Sequence, residues 1–366
     1  MVSDLASRRR LVSQHLVGSS IAAPAEVVSQ LGAVQAQDYA GAKWAVAMRM
    51  RGKVTDQIVE DAVSDGSIIR THVLRPTWHF VAPADVRWML ELTAPRIKAV
   101  MAYYGRQVGL DAAVYKRSNA AITRALRGGN QLTRAELAEV LRKARIDVTG
   151  QYRLGRVVMN AELDALICSG ARRGKQFTYA LLDERAPLAK RMDRDQALAE
   201  LAKRYFATRS PATPGDFAWW SGLTIGDATK AIELAGRSLV RESVDGRAYW
   251  STASTRRPRR ITAPIAHLLP NYDEYFIGYK DRSGIGRRLK SSALVTGGNA
   301  LIGNVIVIDG ELVGAWKRRL APGTVIVELR PMTRLTDRER QAIEAAARYY
   351  ADFLKLRLEI AVPRPG

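Results

Sequence analysis

The chain has 366 residues, with 57 Lys and Arg against 36 Asp and Glu, and a formal net charge of +21. Its length and its 47% apolar content suffice for two to three compact units, and no run approaches the roughly 18 apolar residues that a membrane span needs. A single cysteine, Cys168, excludes an internal disulfide framework and any cysteine-based zinc cluster and reads as a buried apolar filler.

The first twenty residues carry basic side chains with no continuous apolar stretch behind them, so they read as a helix and not as a signal peptide, which implies the cytoplasm. Positive charge is spread along the chain and forms no single tail. That points to a polyanion, nucleic acid first, with solubility charge in an arginine-rich proteome as the alternative. His15, His72, His79 and His267 show no metal-ligand spacing, and there is no P-loop, G-x-G-x-x-G, H-E-x-x-H or G-x-S-x-G. No metal and no cofactor are expected.

In chain order, residues 4–17 and 25–34 read as helices, AKWAVAMRM and TDQIVEDAVSD continue the helical pattern, and THVLRPTWHFV is rich in the β-branched and aromatic residues of a strand. Thr133-Arg134-Ala135-Glu136 is a capping box that starts a helix at Arg134 with Leu137, Val140, Leu141 and Ala144 on one face. After a break at 147–150, Leu154, Val158, Ala161 and Ala165 mark another helix, followed by the basic hairpin ARRGKQFTYALL. The order then recurs. Thr213-Pro214-Gly215-Asp216 starts a helix, Thr224 caps the next, and LVRESVDGRAYW alternates around Asp245-Gly246 as a two-residue hairpin. Helix, turn, helix and hairpin make a winged helix, whose second helix can enter a DNA groove, although such units also serve as scaffold. Beyond the RRPRR run at 256–260, VIVIDGELVGAW predicts a hairpin at Asp309-Gly310, VIVEL a strand, and Thr336 caps a helix running to about Leu358. The expected fold is therefore α+β, mainly helical with β hairpins. Winged-helix units would occupy 1–112, 113–190 and 191–258, followed by a β-rich domain with its closing helix over 259–366.

AVQAQDYAGAKWA, residues 33–45, sets Gln35 and Gln37 two apart with Asp38 next. Positions i and i+2 share a side only in extended chain, so the two amides converge only if the helix before them ends near Val34. Taken alone they would be surface amides at a helix end. With RTHVLRPTWHFV and HLLPNYDEYFIGYKDR further on, however, the stretch resembles the winged-helix DNA glycosylases of the AlkZ and YcaQ type over essentially the whole chain. Gln35-Ala36-Gln37 matches the Q-hydrophobic-Q motif of the AlkZ-like branch. The Q-x-D motif of the other branch would need its Asp at 37, one place before Asp38.

The resemblance implies three tandem winged helices and a β-rich domain forming a concave DNA-binding surface, and excision of bulky N-alkylated purines, crosslinks sometimes included. A role in general repair or in antibiotic self-resistance stays open. A purine alkylated at N7 or N3 is already cationic, so what remains is to place a water and tolerate an oxocarbenium-like sugar. A Gln carbonyl can accept from that water, and a Gln NH2 can hold a phosphate or sugar oxygen. Gln37 is then expected to position water with Gln35 orienting, and Asp38 stays a possible catalytic carboxylate. Thr77-Trp78-His79 matches the family's T-x-H strand, which implies DNA contact by Arg75 and His79, with packing as the alternative for His79 and more so for Trp78. Lys43, Arg153, Arg172, Arg173 and Lys175 are candidate phosphate contacts. The expected protein is a monomeric, monofunctional glycosylase acting on duplex DNA. The alternative is a noncatalytic DNA-binding protein, either a transcription factor or a lesion-shielding resistance factor.

Overall fold

The structure, a computed structural model, describes residues 2–187, 191–244, 246–252, 263–289 and 303–361, so the RRPRR run lies outside the described residues. After α1 (Val2–Ser13) the chain builds α2 (Pro24–Leu31), β1 (Val34–Gln35), α3 (Tyr39–Ala47), α4 (Asp56–Ser64), β2 (Ile69–His72) and β3 (Trp78–Val81). The strand expected over THVLRPTWHFV is thus two strands around a loop at 73–77. A helix of 22 residues that the periodicity did not reveal, α5 (Val86–Gln107), follows.

The same order then returns twice. α6 (Ala112–Leu126), β4 (Leu132–Thr133), α7 (Arg134–Lys143), α8 (Arg153–Leu163), β5 (Ile167–Ser169) and β6 (Thr178–Leu181) form the second unit, closed by the short α9 (Leu182–Arg185). The third comprises α10 (Arg194–Thr208), α11 (Pro214–Ser221), α12 (Ile225–Ala235), β7 (Leu239–Val244) and β8 (Arg247–Thr252). Sheet order is β1-β3-β2 in the first unit and β4-β6-β5 in the second, while in the third an isolated bridge from Ala212 to Trp250 takes the place of the first strand. Capping boxes at Thr133/Glu136 and Thr213/Asp216 are formed as the sequence predicts.

The last portion holds β9 (Ala266–Leu269), α13 (Glu274–Ile277), β10 (Asn304–Ile308), β11 (Glu311–Ala321), β12 (Thr324–Pro331), α14 (Asp337–Leu354) and β13 (Arg357–Ala361). Its sheet runs β13-β12-β11-β10-β9, antiparallel except for β12 with β13. The terminal helix stops four residues before the expected Leu358, because Lys355 turns left-handed (φ 55°) and releases the chain into β13. Mixed helices and small sheets agree with the expected fold class.

The first unit is central. Trp44 on α3 packs against Tyr349, Tyr350 and Phe353 of α14 at ring distances of 5.0–5.1 Å and donates from Nε1 to the Leu268 carbonyl at 2.7 Å. Truncating such a buried tryptophan destabilises by roughly 3–5 kcal/mol. On its other side, Ile69, Val73, Leu74 and Trp88 share a core with Tyr205, Phe217 and Trp220 of the third unit. The second unit keeps its own core around Leu126, Leu137, Leu141 and Val158.

Candidate active site

The α2 helix ends at Leu31, three residues before the expected Val34, and Gly32 (φ 76°) turns the chain into β1, which is extended over Val34–Gln35 only, while Gln37 lies in a bend beyond it, so the two amides do not share one strand. Gln35 lies opposite His79 in the β1–β3 ladder. In the second and third units the N-cap of the following helix is, or directly follows, the last ladder residue: Thr133 opposite Thr178, and Thr213 after Ala212. In the first unit Ala36 and Gln37 intervene before the cap, Asp38, whose Oδ1 accepts from Gly41 N at 3.0 Å. Gln37 is therefore an extra residue at a strand-to-helix corner. It is exposed, and its side chain has no partner among the described residues.

Gln35 is buried, with 6% of its surface exposed. Its backbone N–H donates to Glu274 Oε1 at 2.9 Å, and its side-chain Oε1 accepts from Arg75 Nη2 at 2.7 Å. Glu274, wholly buried, also accepts from Arg209 Nη2 at 2.7 Å and from Trp220 Nε1 at 2.8 Å. Arg209 in turn donates to the Leu31 and Ala33 carbonyls, fixing the exit of α2. One residue before Glu274, Asp273 forms a buried two-bond pair with Arg49 at 2.8 Å. The peptide between the glutamines is held as well: Ala36 N–H donates to the Trp78 carbonyl at 2.7 Å, and Arg70 donates to the Ala36 carbonyl from Nε and Nη2. Arg70 is flanked by the Trp78 and Phe177 rings at 4.6 and 4.5 Å.

His79 is buried, and because a carbonyl can only accept, its 2.9 Å contact with the Thr77 carbonyl puts the proton on Nδ1. Burial first, and then the Arg75 charge, holds its imidazole well below the ordinary range, so it is neutral. Beside it Thr71 Oγ1, Thr77 Oγ1, His79 Nε2 and Arg75 Nε have no partner among the described residues. Trp78 tilts against His72 at 4.3 Å, and both reach the buried Glu162 of α8, which ties the second unit to the first.

The other candidate residues distribute unevenly. Lys43 is 3% exposed and lies between Asp56 and Glu60, each at 2.6 Å. Arg172 pairs with Glu60 at 3.4 Å and lies over the Tyr39 and Phe177 rings, so the second unit's hairpin packs beside the motif. Arg173 pairs with Glu136 at 2.8 Å, and Arg153 is held by the Asp147 and Val108 carbonyls. Lys175, on the same hairpin, is exposed and unpaired among the described residues. The fold has buried Lys43 and His79, which the sequence suggested as DNA contacts, and turned Arg75 toward Gln35. Asp38 lies 3.7 Å from Arg318 of β11. Cys168 is buried, and burial pushes its thiol up to about 12.

The family model for AlkZ-like DNA glycosylases matches residues 28–353. The chain belongs to the AlkZ-like DNA glycosylase family. The solved structure of Streptomyces sahachiroi DNA glycosylase AlkZ matches it over 99% of both chains, with a TM-score of 0.80 and 24% identity, a likeness of fold. No curated protein matches it. As a DNA glycosylase it acts on DNA, and among the described residues no helix is long and apolar enough to cross a membrane. Sequence reasoning did not single out four charged residues around this AlkZ-like glycosylase's motif, Arg70, Glu162, Arg209 and Glu274. For Glu274 a signal was present, since two adjacent carboxylates inside the apolar run HLLPNYDEYFIGY need buried partners.

Proposed function

We propose that this glycosylase is monofunctional and hydrolyses the N-glycosidic bond of purines alkylated at N7 or N3 in duplex DNA, bulky or crosslinked adducts included. It acts as a monomer, with the water positioned by Gln37 and Gln35 beside it. The supporting observation is that four carboxylates around the motif are already engaged within the protein. Asp38 caps α3, Glu274 holds Arg209, Glu60 holds Lys43, and Glu162 holds His72. A site with its carboxylates so committed suits a leaving group that arrives positively charged and needs no protonation. Lys43, the lysine nearest in sequence, is enclosed by two carboxylates, which supports hydrolysis over Schiff-base chemistry.

In this reading the repeated helix–strand–helix–helix–strand–strand units are winged helices arranged along the duplex, with Lys175 and Arg173 as phosphate contacts on the second unit's hairpin. Arg75, His79, Lys43 and Arg172 support the motif from beneath. The test is incubation with duplexes carrying 7-methylguanine or uracil. Release of free 7-methylguanine, an intact strand with an abasic site, and no uracil release are expected. Uracil release at a comparable rate would refute the reading, as would binding of the lesion duplex without base release, the behaviour of a shielding factor. Asp38→Asn keeps the cap and should excise within a few-fold of wild type, whereas loss of excision would move the catalytic role to that carboxylate.

A further inference from the structure

The two glutamines are not equivalent. A guanidinium has donors and no acceptor, so the bond from Arg75 Nη2 to Gln35 requires the amide oxygen to face inward. Turning the amide over would set NH2 against guanidinium, donor against donor. The backbone N–H of Gln35 is taken by Glu274. No acceptor for the Gln35 NH2 is found among the described residues, so this is the group left to act.

Arg75 is itself held. Leu74 is left-handed (φ 63°), its N–H donates to Thr93 Oγ1 at 3.2 Å, and Arg75 N–H donates to the Val73 carbonyl at 2.7 Å. Gly222, in the α11–α12 turn, sits so close to Leu74 that a Cβ there would overlap its carbonyl oxygen and lie 3.3 Å from Arg75 Cγ. We propose that Arg75 is a positioning residue that locks the Gln35 amide with its NH2 outward. Gln35 then donates to a phosphate or sugar oxygen of the lesion nucleotide, and Gln37, whose amide has no partner among the described residues, alone accepts from the water. This rests on the glycosylase reading above.

The decisive variant is Gln35→Glu. Its carboxylate matches the amide in size and pairs with Arg75, so the fold is kept while the donor is lost. Single-turnover release of 7-methylguanine should fall by about 10²-fold, the range for a lost electrostatic donor, with no drop in melting temperature and undamaged-duplex affinity within about twofold. If Gln35 were the acceptor, a carboxylate would serve the water and the sugar cation better, and retained or faster release would overturn the proposal. Arg75→Met should slow release by about tenfold, the modest effect of a misplaced group, with affinity and salt dependence unchanged, and Arg75→Lys should restore part of the rate. A fall of about one in the salt slope would make Arg75 a phosphate contact and overturn the assignment.

In Gln35→Glu/Arg75→Met the unpaired carboxyl donates only when protonated. Release should therefore fall as pH rises through its titration, and a rise with pH would refute the donor role. Absence of base release by the wild type on the same duplex would overturn the glycosylase reading itself, a result distinct from normal wild-type release with an active Gln35→Glu.

Discussion

Glu274→Gln is the smallest change that tests how the motif is held. Three donors converge on this carboxylate: Gln35 N–H at 2.9 Å, Trp220 Nε1 at 2.8 Å and Arg209 Nη2 at 2.7 Å. A glutamine side chain offers one acceptor oxygen and one NH2, so at least one donor would face another donor. Arg209, wholly buried, would lose its counter-charge. Breaking a buried pair in this way destabilises by roughly 3–5 kcal/mol, a shift of about 4–7 °C in melting temperature for a chain of this size. Urea unfolding followed by tryptophan fluorescence measures the first effect, and single-turnover excision well below the transition measures the second. Asp273→Asn is the comparator. It breaks the equally buried pair with Arg49, so it should destabilise comparably while slowing excision less, because Asp273 does not touch Gln35. A Glu274→Gln midpoint within about 1 kcal/mol of wild type would refute the reasoning, as would equal losses of excision in both variants.

Binding to undamaged duplex should weaken at least about tenfold between roughly 50 and 200 mM salt, given a net charge of +21, and a salt-independent mobility shift would contradict a phosphate-dominated interface. His79 and His267 are both held below the ordinary imidazole range, mainly by burial. Their contribution is thus fully present above the unfolded value of about 6.5 and is lost as pH falls below it toward each lowered folded value. Urea midpoints at pH 7.5 and 5.5 should show this loss, and a flat profile would mean that both imidazoles protonate freely. Gly222→Ala should destabilise by more than the roughly 1–3 kcal/mol of ordinary overpacking, since the backbone is left-handed (φ 70°) and the Leu74 carbonyl cannot yield readily. Gly226→Ala, in the first turn of α12 where an added Cβ would meet only Thr224 Oγ1 at an ordinary 3.8 Å, should instead leave stability equal or raised by less than about 0.5 kcal/mol, and similar thermal melts for the two would refute the close-approach argument.

Local grammar carried far in this sequence. The capping boxes at Thr133, Thr213 and Thr336 and the hairpin at Asp309-Gly310, with φ of 50° and 87°, are set by residues within three positions of one another, so they are readable without the fold. The end of the helix before Gln35 was legible for the same reason, although it falls at Leu31 and the strand that follows stops at Gln35. Longer range defeated the reading. Lys43 looked like a surface cation because its carboxylate partners lie 13 and 17 residues away on another helix, and Glu274 reaches Gln35 across 239 positions. The α5 helix was obscured by Pro95 inside it, and α14 overran because Leu354 and Leu358 stand at helical spacing across the left-handed Lys355 that ends it, while the alternation in LKLRLEI is that of β13.

The most direct test of the paired-glutamine site is chromatographic detection of free 7-methylguanine from a lesion duplex under single-turnover conditions, comparing wild type with Gln37→Ala. Because Gln37 is exposed and without a partner among the described residues, its loss should leave folding and duplex affinity intact while slowing release by about 10²-fold or more, as for a lost water-positioning group. Release by Gln37→Ala at the wild-type rate would contradict the assignment of the water to that residue.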